Sequence, residues 1–285
     1  MYARDRFVAF VDILGFSALI EDVEKLGHGD FSRPLELTQA LGSESDSEKF
    51  KHHGPTTCPN SKYLSQDLHF QVTQISDCVV ISCEASPAGV INLISHCFGI
   101  SIKMLHMGAM CRGVITRGNI YHQDRQFMGT GYMRAYQGEK CVAFLRKDES
   151  ETGTPYIQID ESVSEYIRKE TDSCVRQMFE RMTDSDGVYT AIYPYKQLAK
   201  LPSTLVGVDF DPSEWKANIQ RSIQFRLQNL EIFETLEREV SSENVTKKIQ
   251  HCKRGLESVL EVLRKKEVIL DTIISTGKIP YGLVI

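Results

Sequence analysis

The chain has 285 residues, of which 41% are hydrophobic and 25% are charged, the composition of an ordinary folded protein. The net charge of -5 argues against nonspecific nucleic-acid binding, and no apolar run approaches the roughly 20 residues that span a bilayer. The eight cysteines form no CxxC pair, which predicts reduced thiols rather than a zinc site or a disulfide framework. We therefore expect a cytoplasmic protein with neither a nucleic-acid nor a membrane partner.

The first predicted element is a strand with a carboxylate near its end. Residues Phe7 to Val11 are continuously apolar, which is typical of a strand buried on both faces. Asp12 follows directly, and an ionised carboxylate there is costly unless a cation or strong hydrogen-bond donors face it. Gly15 and Ser17 then mark a turn into an apolar-periodic helix. Strand, carboxylate, glycine turn and helix start together predict a place for a metal ion and a phosphate group.

Helical and loop segments are predicted before the second strand. Residues 18 to 42 carry apolar residues at helical spacing, with an interruption at residues 27 to 29. Residues 43 to 62 are polar and contain two prolines, which predicts a loop. His52 and His53 lie in this loop, where a solvated surface is favoured over a metal site.

The middle of the chain predicts a hairpin and a core helix. Strands around residues 69 to 72 and 79 to 82 are expected to pair, with Asp77 at the tip between them. Apolar side chains then recur on one helical face between Pro87 and Gly108, which predicts a buried helix.

Short strands and helices alternate after this point. The pattern predicts a strand over 111–116, a turn near Gly118-Asn119, a helix from Gly129-Thr130-Gly131 to about 142, a strand over 156–159 and a helix over 161–169.

The composition becomes charge-rich and glycine-poor near the C-terminus. Residues 213 to 240 and 245 to 275 are apolar-periodic, which predicts an antiparallel helical hairpin. The predicted organisation is therefore a first domain of residues 1 to 212 and a helical extension of residues 213 to 285. A structural appendage and a dimerisation element are equal alternatives for this hairpin.

Asp12 and Asp77 are the sharpest chemical feature of the sequence. Both lie near predicted strand ends. Paired carboxylates suit Mg²⁺ or Mn²⁺, because these ions take oxygen ligands and keep positions open for substrate phosphates. Taken singly, Asp12 could cap a helix and Asp77 could be an ordinary turn residue.

The order of these motifs resembles the class III nucleotidyl cyclase family. FVDILGFSAL resembles the family's first metal-binding strand, and ISDCVVIS resembles the hairpin that supplies the second carboxylate. RGVITRGN resembles a later strand, and GTGYMRAYQ resembles the start of the catalytic helix. These segments extend over roughly residues 5 to 165. The resemblance implies an α+β fold with a ferredoxin-like (βαββαβ) catalytic domain followed by the C-terminal helical hairpin.

The resemblance also implies the metal site and the assembly. Asp12, Asp77 and the backbone carbonyl of Ile13 are expected to hold two Mn²⁺ or Mg²⁺ ions per active site. In this family the site lies between two catalytic domains, and the chain contains one. A homodimer with active sites at its interface is therefore expected, with arginines that cross to the partner's metals.

Five further residues are expected to contact the nucleotide. The backbone of Gly15, Phe16 and Ser17 lies where the family binds phosphates at the helix start. Thr73 and Gln126 fall on the two positions at which adenylyl cyclases read the base with Lys and Asp. The usual readers of adenine and guanine are both absent.

A second departure concerns the transition state. The family's catalytic Asn and Arg fall on Met133 and Gln137, so the standard pair that stabilises the developing charge is missing. Arg112 and Arg134 are the nearest cations that could replace it. Each has an alternative interpretation: Arg112 could pair with a surface acid, and Arg134 could serve the dimer contact.

These departures are similar to those of the pyrimidine nucleotide cyclases of the bacterial Pycsar anti-phage system. The RG-x-I-x-x-G strand, the RAY helix and a Ser-Asp pair, here Ser76-Asp77, recur there. This resemblance implies conversion of UTP into cyclic UMP, which activates a separate effector upon infection. CTP as the substrate, a catalytically silent nucleotide-binding dimer and a purine cyclase with rearranged readers are the alternatives.

Overall fold

The computed structural model describes residues 2–25, 29–43, 45–46, 69–198 and 211–277. Most of the predicted loop at residues 43 to 62, including His52 and His53, lies outside the described residues. The chain divides into two compact units, Met1–Pro194 and Tyr195–Ile285. The domain boundary predicted at residues 212 and 213 stays a prediction.

The first unit is an α+β structure. Its strands are β1 (Arg4–Ile13), β2 (Gln71–Ile75), β3 (Cys78–Glu84), β4 (Cys111–Gln123), β5 (Gln126–Met128), β6 (Ile157–Ile159), β7 (Thr183–Ser185) and β8 (Thr190–Ile192). Its helices are α1 (Phe16–Lys25), α2 (Ser32–Ala40), α3 (Pro87–His106), α4 (Thr130–Glu139), α5 (Glu161–Arg168) and α6 (Ser173–Met182).

A mixed eight-stranded sheet forms the centre of this unit. The strand order is β2-β3-β1-β4-β6-β8-β7, and β5 pairs with β4. β1 is antiparallel to both of its neighbours, β3 and β4, whereas β4 and β6 are parallel. The predicted β2–β3 hairpin is confirmed. The inner position of β1 explains its continuously apolar sequence.

The two faces of β1 have different surroundings. Phe7 and Val11 belong to the main core, which also contains apolar residues of α3. Phe10 belongs to a smaller cluster on the other face, together with Ala135 of α4. Because side chains alternate along a strand, Asp12 shares the face of Phe10. This second face carries the candidate site.

Helix α3 is apolar enough to span a membrane by length and composition, but 61% of its most apolar window is buried within the protein. The sequence led us to expect no apolar run of that length. The helix packs against β1, β3 and α6. A helix enclosed by other elements is apolar on most of its sides, so burial in the core explains the composition of α3.

The turn predicted near Gly118-Asn119 is wrong, because β4 runs straight through it to Gln123. Gly118 pairs in register with Arg6 of β1. A Cβ atom at Gly118 would lie 2.9 Å from the Gly131 Cα at the start of α4. The glycine therefore allows the close approach of a helix to the sheet rather than a reversal of the chain.

One described cysteine departs from the expectation of reduced thiols. Six of the cysteines that the structure describes are free, and burial raises the pKa of the Cys97 thiol. Cys174, in contrast, is disulfide-bonded. Sequence spacing gives no signal for such a bond, because its geometry depends on which two Cα atoms the fold brings together.

The second unit contains the C-terminal helical pair. It comprises α7 (Tyr195–Leu198), α8 (Pro212–Glu239) and α9 (Glu243–Thr276). Lys216 near the start of α8 pairs with Asp271 near the end of α9, and Glu237 near the end of α8 pairs with Lys253 near the start of α9. The two long helices are therefore antiparallel, as the sequence predicts.

Candidate active site

Asp12 and Asp77 meet at one end of the sheet. Asp12 lies one residue before the end of β1 and pairs in register with Cys78, the residue that follows Asp77. The Ile13 amide donates a hydrogen bond to the Asp77 backbone carbonyl at 3.0 Å. Asp77 occupies the β2–β3 turn after Ser76, whose φ of 52° is left-handed. Antiparallel pairing thus brings together two carboxylates that are distant in sequence.

Electrostatic repulsion between carboxylates characterises this end of the sheet. Burial, followed by the negative charges of Glu139 and Asp77, raises the pKa of Asp12 to about 7. The positive charges of Arg112 and Lys140 oppose this shift without cancelling it. Three carboxylates therefore repel one another here. Any additional positive charge would stabilise their ionised forms.

The donor chemistry fits a hard divalent cation. The Cys78 thiol lies beside the same carboxylates: burial, then Asp77, Asp12 and Glu139, raise its pKa to about 11, so it stays protonated at neutral pH. Among the described residues, no group of three or more His, Cys, Asp or Glu side chains could hold a metal ion. The fit therefore depends on the two aspartates, and Mg²⁺ or Mn²⁺ commonly uses one or two carboxylates plus substrate phosphates.

The start of α1 provides a backbone surface next to the aspartates. Gly15 has a φ of 80°, and a Cβ atom there would meet no atom within 4 Å. Phe16 is buried in the core and fixes the first turn of the helix, whereas Ser17 is exposed. The first turn contains no acidic residue. Its amide groups can therefore receive phosphate oxygens.

Arg112 is held inside this site by an ion pair. It lies beside Asp12 in the β1–β4 register, and its guanidinium binds the carboxylate of Glu139. Glu139 is only 3% exposed. Gly153 packs directly against the guanidinium, where a side chain would collide with it. The cation nearest to Asp12 is therefore already partnered within its own chain.

Glu139 is a site residue that the sequence interpretation missed. A signal for it exists: Gly131, Ala135 and Glu139 recur at a spacing of four, which places all three on one face of α4. That face is buried against β1 and β4. An acidic residue on a helix face that otherwise carries small residues requires a cationic partner, and Arg112 provides it.

Arg134 lies away from the aspartates of its own chain. Its Nη1 donates a hydrogen bond to the Arg117 backbone carbonyl at 3.1 Å, next to Gly118. Arg112, at the aspartate end, is six residues from Gly118 on β4, which corresponds to about 20 Å. Within one chain, the structure brings Arg112 to the aspartates and leaves Arg134 exposed at a distance.

Thr73, the first predicted base-reading residue, lies opposite Val80 on β2, two residues before the end of the strand that leads into the Asp77 turn. The Thr73 hydroxyl and His122 Nε2 are 2.9 Å apart, and His122 Nδ1 is 2.9 Å from the Ser82 hydroxyl. Burial, followed by the charge of Arg6, lowers the pKa of His122 to about 4, so the ring is neutral at pH 7. Gln126 is exposed at the start of β5. The sequence interpretation missed His122, which holds the Thr73 hydroxyl within a buried network.

An exposed apolar surface covers part of the same face of the sheet. On it, Met128, Met133 and Tyr136 are 61%, 53% and 45% exposed. The ring of Tyr136 packs edge-on against Phe10 at 5.3 Å and stacks on Tyr132 at 5.9 Å. The surface is thus fixed in place by the aromatic layer beneath it.

No protein-family model matches the chain, and no curated protein matches it. The chemistry available to the site is that of paired carboxylates beside backbone donors and one neutralised arginine. This arrangement suits a polyphosphate ester bound together with divalent cations.

Proposed function

We propose that this chain is a pyrimidine nucleotide cyclase that converts UTP into 3',5'-cyclic UMP and diphosphate. The observation that carries this proposal is the meeting of Asp12 and Asp77 beside the open backbone of Gly15 at the start of α1. A nucleoside triphosphate needs both features, since its cations require oxygen ligands and its phosphates require donors.

The reaction forms a bond between the ribose 3'-oxygen and the α-phosphorus and breaks the bond to diphosphate. Asp12, Asp77 and the Ile13 carbonyl would hold two Mn²⁺ or Mg²⁺ ions, which when bound lower the pKa of the 3'-hydroxyl and neutralise the triphosphate. The Gly15–Ser17 backbone binds phosphate oxygens. Arg112 or Arg134 offsets the charge that develops on diphosphate, a contribution of about 3 kcal/mol for one well-placed group.

The fold supports a ferredoxin-like cyclase domain. The elements from β1 to β4 follow the order strand, helices, strand, strand, helix, strand. The four strands are arranged as β2-β3-β1-β4, and each neighbouring pair is antiparallel. This order is consistent with the βαββαβ arrangement that the class III resemblance implies, with residues of α1, α2 and α3 in the main core on one face and Asp12 on the other.

Two features support a homodimer with composite active sites. The exposed surface of Met128, Met133 and Tyr136 is apolar, and a second copy would bury it. Arg134 is remote from Asp12 of its own chain, so it could act only on the aspartates of a partner. The product would then reach a separate cyclic-nucleotide-activated effector in the bacterial cytoplasm during phage infection.

A catalytically silent nucleotide-binding dimer is the second candidate. The observation that favours it is the Arg112–Glu139 ion pair, which already occupies the arginine nearest to the aspartates. Met133 and Gln137, at the positions of the family's catalytic pair, are exposed and carry no charge. The cyclase proposal is preferred because the carboxylates around Asp12 repel one another, and a site without catalysis has no use for this unfavourable arrangement.

Incubation of the purified protein with each of the four nucleoside triphosphates and Mn²⁺ tests the proposal, with cyclic products identified by mass. We expect cyclic UMP from UTP, and a loss of at least about 100-fold in rate for Asp12→Asn or Asp77→Asn. Asp22→Asn, at an exposed aspartate of α1, is the matched control and should retain activity. If no triphosphate cyclises while Asp12→Asn leaves nucleotide binding intact, the silent function is the correct one.

The same experiment decides between UTP and CTP. The two bases differ in the donors and acceptors at positions 3 and 4, and a rotated amide at Gln126 could serve either. Cyclic CMP as the sole product would keep the cyclase proposal and change its substrate. UTP is preferred because cyclic UMP is the commoner product among the cyclases that this sequence resembles.

A further inference from the structure

A cavity lies at the opposite end of β1 from the aspartates. Its volume is about 340 Å³, within the usual range of ligand pockets. Its walls include Arg4 and Arg6 of β1, His69 before β2, and Tyr121 near the end of β4. Arg6 and Asp12 are six residues apart on an extended strand, so the two places are separated by about 20 Å.

The described part of the cavity lining is positively charged. Two arginines belong to it, and the described lining residues include no aspartate or glutamate. Arg6 is half-buried, and burial is the main cause that lowers its pKa. Its Nη1 donates a hydrogen bond to the His69 backbone carbonyl at 3.2 Å. Among the residues that the structure describes, neither Arg4 nor Arg6 forms an ion pair with a carboxylate.

The charge of Glu84 acts on Arg6, but the two side chains form no ion pair. Glu84 pairs with Arg6 across the β1–β3 register and is therefore the obvious candidate partner. Its Oε1 instead accepts a hydrogen bond from the Ser86 hydroxyl at 2.7 Å, at the start of α3. A half-buried guanidinium without a bound carboxylate is costly, and an anionic ligand in the cavity would offset that cost.

We propose that this cavity binds a phosphate-bearing ligand with a planar ring, of the size of a mononucleotide. A guanidinium presents a fork of donors that matches two phosphate oxygens, and two such groups face the same space. Tyr121 and His69 also line the cavity, and aromatic rings of this kind can stack on a base. The proposal is independent of the cyclase function, and binding requires no metal ion.

Calorimetric titration of the full chain with UMP in the presence of EDTA tests this proposal. We expect UMP to bind more tightly than inorganic phosphate, because only UMP carries a ring. Arg6→Gln should weaken UMP binding about tenfold or more, the usual effect of losing a charge-assisted hydrogen bond. Arg176→Gln, at an exposed arginine of α6, should leave the affinity unchanged.

The variants separate this cavity from the aspartate site. Asp12→Asn should bind UMP as the natural sequence does. If Asp12→Asn abolishes binding and the Arg6 substitution does not, the ligand occupies the other site and the proposal is wrong. The absence of any UMP binding is equally decisive against it. If Arg6→Gln fails to fold, Arg4→Glu at an exposed position supplies the same comparison.

Discussion

At Asp12 the requirements of stability and of the proposed chemistry conflict. The carboxylate is half-buried and lies near the charges of Glu139 and Asp77, which disfavour its ionised form. A divalent cation would offset the same charges. The residue therefore costs stability in the metal-free protein, and in the proposed function it would act only with a bound cation, a combination typical of functional sites.

We predict that Asp12→Asn stabilises the metal-free protein while it abolishes cyclase activity. Because folding raises the pKa of Asp12 to about 7, its ionisation at pH 8 opposes folding. Removal of the charge should raise the free energy of unfolding by about 1 kcal/mol, allowing for partial exposure to solvent. Urea unfolding in EDTA measures the change. Asp22→Asn should alter stability by less than about 0.5 kcal/mol; a clear loss of stability in Asp12→Asn would contradict the prediction.

The Arg112–Glu139 pair should show strong coupling. Glu139→Gln removes the carboxylate that binds a largely buried guanidinium and should cost about 3 kcal/mol, as should Arg112→Gln, which leaves the Glu139 carboxylate without that cation. The double variant should cost less than the sum of the two single changes by at least about 1 kcal/mol. Chemical denaturation of the natural sequence, the two single variants and the double variant measures the coupling. If the two single costs simply add, Arg112 and Glu139 do not stabilise each other.

His122 should make stability depend on pH. The pKa of His122 in the folded state is about 4, below the ordinary 6.5. Between these two pH values the ring is protonated in the unfolded chain and neutral in the folded protein. This contribution is fully present above pH 6.5 and is lost as the pH falls towards 4, by about 3 kcal/mol in total. Urea unfolding at pH 7 and pH 5 should show a smaller decrease in His122→Gln than in the natural sequence. Equal decreases would show that the ring is not a buried neutral group.

At the scale of single elements, local sequence determined most of the first unit. The alternation and length of apolar runs identified β1, the β2–β3 hairpin and α3, and Asp77 occupies the predicted turn. The error at Gly118 has a physical cause: a glycine needed for helix contact and a glycine needed for a turn look alike in one sequence.

The candidate site was only partly predictable for a related reason. Asp12 and Asp77 stand beside turn signals, which mark them locally. The links between Arg112 and Glu139 and between Thr73 and His122 depend on contacts between residues far apart in the chain. Such contacts follow from strand order and helix packing, which local patterns leave open.

Two glycines allow a matched comparison of how a Gly→Ala substitution changes stability at the start of a helix and in the interior of a helix. Gly15 has a φ of 80°, so Gly15→Ala should destabilise the fold by about 1 kcal/mol even though space is available for the methyl group. Gly99 lies inside α3 with ordinary backbone angles and open space, so Gly99→Ala should stabilise by about 0.5–1 kcal/mol. Thermal unfolding should shift in opposite directions; shifts of the same sign would refute this account.

At the scale of the whole molecule, the residues of the candidate site and the exposed apolar surface lie at separate positions on one face of the sheet. The aspartates and Arg112 lie at one end, and Arg134 lies about 20 Å away along β4. Met128, Met133 and Tyr136 form an exposed apolar surface on this side. In the proposed homodimer, a two-fold axis between these two places would bring Arg134 of each chain to the aspartates of the other, because a symmetric interface is reciprocal.

This arrangement predicts complementation between inactive variants. Asp12→Asn and Arg134→Gln homodimers should each be defective, but a mixed dimer contains one site with an intact aspartate pair and an intact arginine. After free subunit exchange, half of the dimers are mixed and each has one functional site, so the mixture should recover about a quarter of the original rate. The matched control mixes Asp12→Asn with Asp77→Asn, which share one side of the site and should recover nothing. Recovery in both mixtures, or in neither, would show that the arginine does not act across a dimer interface.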